Sequence, residues 1–239
     1  TVFIEPVALA LSRKSGRPVK LVMTRDEVFR ATGPTISSSM DIKIGMTKDG
    51  RITAAEATLR YSGGAFPNTT VDMGAQAGFA AYDLEAVRTH GWNVLTNRPK
   101  EAAYRAPGAP QAIYAVESVV DELCQELGLD PLKVRLMNAA RKGTLSSYGP
   151  TFNEIGLVAT LEAAKAHPHY TAPLGPNQGR GLSCGFWFNF GGNTCVSLNI
   201  NTDGTVGVTE GNPDIGGSRA SISLMAAEDE KPKHTIKDV

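Results

Sequence analysis

Residues 40–61, MDIKIGMTKDGRITAAEATLRY, carry the clearest structural signal in the chain. Ile42 and Ile44 alternate with charged or small neighbours over residues 40–46, Lys48-Asp49-Gly50-Arg51 interrupts the alternation, and residues 52–61 follow as a second strand. Asp-Gly supplies the positive φ that a tight turn needs, so the stretch predicts a β-hairpin. The pattern returns late in the chain. Val196, Leu198 and Ile200 alternate with polar residues, Thr202-Asp203-Gly204 makes the turn, and Val206 and Val208 carry residues 205–209 back. In both copies the second strand runs into glycines, Ser62-Gly63-Gly64 in one and residues 211–217 in the other. Internal repetition and a chance likeness of two hairpins both account for the echo.

Helical signals surround the hairpins. Val2, Val7, Leu9 and Leu11 fall in a helix-length stretch that ends at Gly16, and a short strand is expected at residues 18–23, where Val19, Leu21 and Met23 alternate with Lys20 and Val22. Ala112, Val116, Val119, Val120, Leu123, Cys124 and Leu127 recur at three- and four-residue steps until Gly128 closes the run. Asp130-Pro131 opens a further helix as N-cap and first-turn proline, with Leu132, Val134, Leu136 and Met137 to bury. A third helix is expected over residues 153–166, stopped by Pro168, and residues 170–180 read as a connector. Hairpins and helices without regular βαβ alternation predict an α+β fold, with a first part at residues 1–170 and a second at 171–239.

Composition narrows the function. The 239 residues carry 24 Lys+Arg against 24 Asp+Glu, which gives no electrostatic reason to expect nucleic acid or an anionic membrane as a partner. No apolar run approaches the roughly 18 residues of a membrane span, and a cytoplasmic location is expected. Cys124, Cys184 and Cys195 form no C-x-x-C pair, and His90, His167, His169 and His234 form no spaced ligand set. If the chain uses a catalytic metal, the metal is therefore expected on an organic carrier rather than on side chains.

Three segments carry the candidate chemistry. Residues 103–111, AYRAPGAPQ, fix a loop at the start of the best helix, where backbone N–H groups and Arg105 favour an anion; a rigid turn with a surface arginine explains the same residues. Residues 185–193, GFWFNFGGN, crowd aromatics that line a flat-ligand cavity or simply pack. Residues 214–220, DIGGSRA, form a strand-to-helix turn with Ser218 as cap, suited to phosphate or pterin contact or to plain capping. Glu5, Asp26, Glu27 and Glu117 are the carboxylates to screen as bases, each with a solvated role as the alternative. The hydrolase, P-loop and zincin signatures are missing.

The block Tyr104-Arg105-Ala106-Pro107-Gly108-Ala109-Pro110-Gln111, then Glu117, Asp121-Glu122-Leu123, Leu129-Asp130-Pro131 and Arg135-Leu136-Met137-Asn138, resembles the molybdopterin-binding large subunit of the xanthine oxidase, aldehyde oxidase and carbon monoxide dehydrogenase family of molybdenum hydroxylases. Gly16-Arg17-Pro18-Val19 through Thr24-Arg25-Asp26-Glu27 fits the same family. The resemblance implies a molybdenum held by a pterin dithiolene, often as the cytosine dinucleotide. It also implies hydroxylation of an aldehyde or N-heterocycle with oxygen from water, and electron transfer to 2Fe–2S and FAD subunits. It places cofactor contacts at Arg105, Ala106, Pro107 and Gly108 and at Gly216, Gly217 and Ser218, and substrate-pocket aromatics at Phe186 and Phe190.

Pro107 replaces the family's usual aromatic in the arginine loop, and Gly216-Gly217-Ser218 replaces Gly-Gln-Gly. The glycine-rich segment expected before Thr1 and the late G-E-G segment with the catalytic glutamate are not in the sequence, so no residue of the chain is assigned as the base. The chain then reads as an internal piece of a longer subunit, inactive without a remainder supplied by the same polypeptide or by a second molybdenum-subunit chain. A non-catalytic scaffold or assembly module is the second reading, and a flavin or nucleotide oxidoreductase a third, weakened by the missing G-x-G-x-x-G.

Overall fold

The computed structural model describes residues 4–33, 35–67, 70–103, 105–188, 193, 195–212 and 218–229. The chain forms two compact units, Thr1–Phe188 and Asn189–Val239.

The expected hairpin is the heart of the first unit. Strands β1 (Ser38–Met46) and β2 (Ile52–Gly64) pair antiparallel, with Ile42 opposite Ala57 and Ile44 opposite Ala55. At the turn Gly50 adopts φ +96°, and its N–H donates to the Thr47 carbonyl at 2.9 Å. A Cβ there would also press on Val134 at 3.0 Å, so the turn needs glycine for packing as well as for φ. A third strand, β3 (Val87–Leu95), adds parallel to β2, which makes β2 the central strand. Parallel neighbours require a crossover, and α3 (Val71–Ala77) provides it.

Core packing follows the period of each element. Ala55, Ala57, Leu59 and Tyr61 face one side of β2, as the two-residue strand repeat dictates, and all are buried. Against them lies α4 (Ala109–Leu127), whose Ala112, Val116, Val120 and Cys124 form one buried stripe. Gly128 ends α4 in the left-handed region, as expected. Helix α5 (Pro131–Asn138) begins at the Asp130 cap, whose Oδ1 accepts from the N–H groups of Leu132 and Lys133 at 2.9 Å each. At its other end the wholly buried Asn138 clasps the hairpin, accepting from Ile52 N–H at 2.9 Å and donating to Gly50 O at 2.8 Å.

The remaining helices depart in part from expectation. Helix α1 (Glu5–Ser15) ends at Gly16 as read from the sequence. Residues 18–23 form no strand. Val19, Leu21 and Met23 are partly buried and Lys20 and Val22 exposed, so the alternation is there, but no strand among the described residues pairs with it. A strand exists only through its ladder. Helix α2 (Arg25–Ala31) was not anticipated, although Thr24 and Glu27 form a full capping box: Thr24 N–H donates to Glu27 Oε2 at 2.7 Å and Glu27 N–H to Thr24 Oγ1 at 3.3 Å. Helix α6 (Leu157–Ala166) starts later than expected, and Pro168 ends it by opening a further short helix, α7 (Pro168–Thr171), at its first position.

In the second unit β4 (Val196–Ile200) and β5 (Val206–Glu210) form the second expected hairpin, with Leu198 opposite Val208. Asp203 accepts from Thr205 N–H at 3.0 Å to close the turn. Helix α8 (Ser218–Asp229) opens at Ser218.

Candidate functional site

The arginine loop is a strained turn locked at one end. Ala106 adopts φ +52°, a conformation that costs a non-glycine residue about 1–2 kcal/mol and persists only when its surroundings impose it. The lock is Gly108. Its carbonyl accepts from Tyr61 Oη at 2.8 Å, and Tyr61 is fully buried in β2. Gly108 has φ +82°, and a Cβ there would lie 2.1 Å from the Thr70 carbonyl, so the chain ahead of α3 and the chain ahead of α4 touch backbone to backbone. Burial pushes the Tyr61 phenol upward, so it remains a neutral donor at any physiological pH.

The N-cap of α4 is Gly108, and among the described residues no side-chain cap bond is made there. Arg105 is exposed at the rim of the loop, and Pro107 is partly buried. Thr70 Oγ1 beside Gly108, and Gln111 Oε1 in the first turn of α4, are shielded from water and find no hydrogen-bond partner among the described residues. Unpaired enclosed oxygens fit a loop built for a polar ligand.

Phe186 lies on the wall of a second feature. A cavity of about 460 Å³ is bounded by α6 on one side and by residues 182–187 on the other, with Ala80, Ala81 and Phe152 at its base. The Phe186 ring packs on Tyr148 and Phe152 at 5.7 Å each and on Phe188 at 5.1 Å, while Trp187 reaches the surface. The aromatic run therefore both packs and lines a cavity. Helix α3 links the two features: Thr70, at its start, touches the arginine loop, and Ala80 and Ala81, just past its end, line the cavity. Seven residues of helix span roughly 10 Å.

A buried ion-pair network holds the cavity wall to the core. Glu117, on α4, accepts from Arg135 Nε of α5 at 2.8 Å, from the Cys184 backbone N–H at 2.6 Å and from Tyr82 Oη. Arg135 is 0% exposed and donates a second bond to Asp121 at 2.8 Å. Burial by itself would lower the arginine pKa, but the Glu117 and Asp121 carboxylates raise it, so the guanidinium stays charged. Burial, and then Glu117, push the Tyr82 phenol well up. Cys184 is pushed up to about 11 by burial and then by Glu117, which keeps a neutral thiol on the cavity wall.

This geometry corrects the screen for bases. Glu117 is not a solvated surface carboxylate but a wholly engaged anchor with three donors. Glu27 is the capping residue of α2, Asp26 pairs with Arg30 at 3.0 Å on the surface, and Glu5 opens α1. Tyr82 and Thr70 carried no functional reading in the sequence, Arg135 stood only in the block that carries the family resemblance, and Gln111 closed the arginine-loop segment without a role of its own. Arg135 had one visible sign, a cation placed among the apolar positions of α5. Phe190, Gly216 and Gly217 lie outside the described residues, and Ser218 is the first residue of α8.

Residues 1–139 match the molybdopterin cofactor-binding domain family, more than half of the chain, and the protein belongs to that family. It is 30% identical over 249 aligned residues to the putative xanthine dehydrogenase molybdenum-binding subunit XdhA of Escherichia coli (strain K12), an alignment covering 95% of this chain and 33% of that one. The aldehyde oxidoreductase of Megalodesulfovibrio gigas is 31% identical over 173 residues, 71% of this chain and 19% of its own. Among solved structures, the aldehyde oxidoreductase from Desulfovibrio gigas superposes with a TM-score of 0.68 at 26% identity, over 87% of this chain and 24% of that one. The α+β architecture is that of this family's molybdopterin-binding region, and the chain spans about a third of the length of the first relative.

Proposed function

We propose that this chain is the molybdopterin-binding component of a cytoplasmic molybdenum hydroxylase that oxidises an aldehyde or N-heterocycle. The observation that carries the reading is the arginine loop, strained at Ala106 and locked at Gly108 by Tyr61 and Thr70 within the stretch that matches the cofactor-binding family. Bound molybdopterin supplies two-electron redox chemistry, so that a C–H bond becomes C–OH with oxygen from water while an electron pair and protons leave.

The chain's own residues bind and orient. Arg105, Ala106 and Gly108 present backbone N–H groups to the cofactor, with the Arg105 guanidinium beside them and Pro107 fixing the turn, and Gly216, Gly217 and Ser218 are the residues that the family resemblance assigns to the pterin. The dinucleotide is the cytosine form. The resemblance assigns Phe186 and Phe190 to the substrate pocket, and the neutral Cys184 thiol beside Phe186 keeps that wall uncharged. Glu117 holds Cys184 in place through its backbone N–H. The general base comes from outside these residues, in the same polypeptide or a second chain, and the electrons pass to iron–sulfur and FAD subunits.

The test is elemental analysis for molybdenum and fluorescence of released pterin on protein purified with the chains that accompany it. About one molybdenum per chain, with iron and FAD in the co-purifying subunits, is the expected result. Folded protein with neither metal nor pterin would sink the proposal and leave a non-catalytic scaffold in its place.

A further inference from the structure

The segments that open α3 and α4 meet at Gly108, and each leaves one side-chain oxygen unpaired among the described residues. These are Thr70 Oγ1 and Gln111 Oε1, both shielded from water. An added Gly108 Cβ would lie 2.9 Å from Thr70 Oγ1, and Gln111 follows in the first turn of α4, three positions past Gly108. Backbone packing does not explain the two oxygens, since the close approach at Gly108 is made by the Thr70 carbonyl. Folded proteins rarely keep an enclosed polar atom without a partner, and two at one loop call for a common cause.

Both residues are only partly buried as wholes. Rotation about Thr70 χ1, or about the broad terminal torsion of Gln111, therefore turns each oxygen toward a group lying on the loop. The amide oxygen only accepts, and the hydroxyl donates or accepts. That combination suits the edge of a heterocycle that carries N–H donors beside a ring acceptor. A phosphate offers Gln111 Oε1 no proton.

Resting on the cofactor reading above, we propose that Thr70 and Gln111 are additional contacts to the cofactor, holding the N–H-bearing edge of the pterin against the arginine loop. The enzyme that carries this chain, produced in its native host, is compared as wild type, Thr70→Val, Gln111→Met and Thr70→Ser. Molybdenum per polypeptide and released pterin are measured on each, together with the melting temperature of cofactor-free protein from a host unable to make the pterin.

Thr70→Val and Gln111→Met are expected to lower metal and pterin content together, by up to about tenfold, the factor one lost hydrogen bond puts on the dissociation constant. Their cofactor-free forms should melt at or above the wild-type temperature, because an enclosed unpaired oxygen has been removed, and Thr70→Ser should retain cofactor. Wild-type cofactor content in the Val and Met variants overturns the proposal. So does a fall in cofactor content matched by a fall in the cofactor-free melting temperature, which would mark the two residues as structural. Wild-type enzyme that itself lacks molybdenum and pterin fails the cofactor reading instead, before the variants are compared.

Discussion

Glu117 shows how much one side chain can carry. Three donors converge on it and one of them, Arg135, is a fully buried cation. Glu117→Ala should cost about 3 kcal/mol in urea unfolding, because it leaves a phenol and an amide unpaired and takes from a buried cation one of its two carboxylates. Glu117→Gln should cost clearly less: the amide oxygen still accepts from Arg135 and Cys184, the amide N–H donates to Tyr82, and Asp121 remains as counter-ion. Equal losses in the two variants would mean that charge, not hydrogen bonding, decides. The neighbouring thiol gives a second prediction. With a pKa of about 11, Cys184 is almost wholly protonated at pH 7.5, and burial raises Cys124 as well, whereas Cys195 is exposed. Iodoacetamide under native conditions should therefore label Cys195 first, and mass spectrometry showing early modification of Cys184 would contradict the closed wall. From sequence, Glu117 was visible only as one carboxylate among four, since nothing local distinguishes an anchor from a base.

At the scale of elements, the Asp130 cap was legible because capping is written within four or five residues, although the equally local capping box of α2 was not read. The effect of the Asp130 cap depends on pH. Its carboxylate is desolvated, which would raise its pKa, but the Lys133 N–H, the Tyr170 hydroxyl and the Leu132 N–H outweigh this and hold it below the ordinary aspartate value. A depressed folded value means that the cap's stabilisation is complete above the ordinary aspartate pKa and disappears as pH falls through the lower folded one. Asp130→Ala should cost about 1–2 kcal/mol at pH 7. Asp130→Asn should keep much of the cap while removing this part of the acid dependence, which thermal melts between pH 2 and pH 7 would reveal. Gly108 belongs to the same scale, since it joins two elements. Gly108→Ala places a Cβ 2.1 Å from the Thr70 carbonyl at an unfavourable φ, and should displace the loop at a cost of about 3 kcal/mol or more, read as a lowered melting temperature. A wild-type melting temperature would show that the loop and α3 are not locked together. The strand expected at residues 18–23 marks the limit of local reading. Its alternation is present in the burial, yet a ladder partner must come from elsewhere.

For the whole molecule, the outstanding property is apolar surface. Leu9 is 72% exposed on α1, Val22 75% in the segment that follows, and Ile200 73% on β4, with Trp92 and Leu95 exposed along β3. Surfaces of this kind mark contacts. The 239-residue chain by itself should bind a hydrophobic dye and self-associate in light scattering, and a monodisperse, dye-silent monomer would show that these side chains need no cover. The sequence by itself determined both hairpins, the capped helices, the buried stripe of α4 and, through the order of its motifs, the molybdopterin-binding family. Turns, caps and periodicities are set by neighbours in the chain, so they can be read in the order they are written. Only the tertiary structure decided that β2 is central, that the loop at Ala106 is locked by Tyr61 and Thr70, and that Glu117 anchors Cys184. Each of these depends on a hydrogen bond or a contact of about 3 Å between residues dozens of positions apart, and a polar side chain acquires its role from whatever folding brings within that distance.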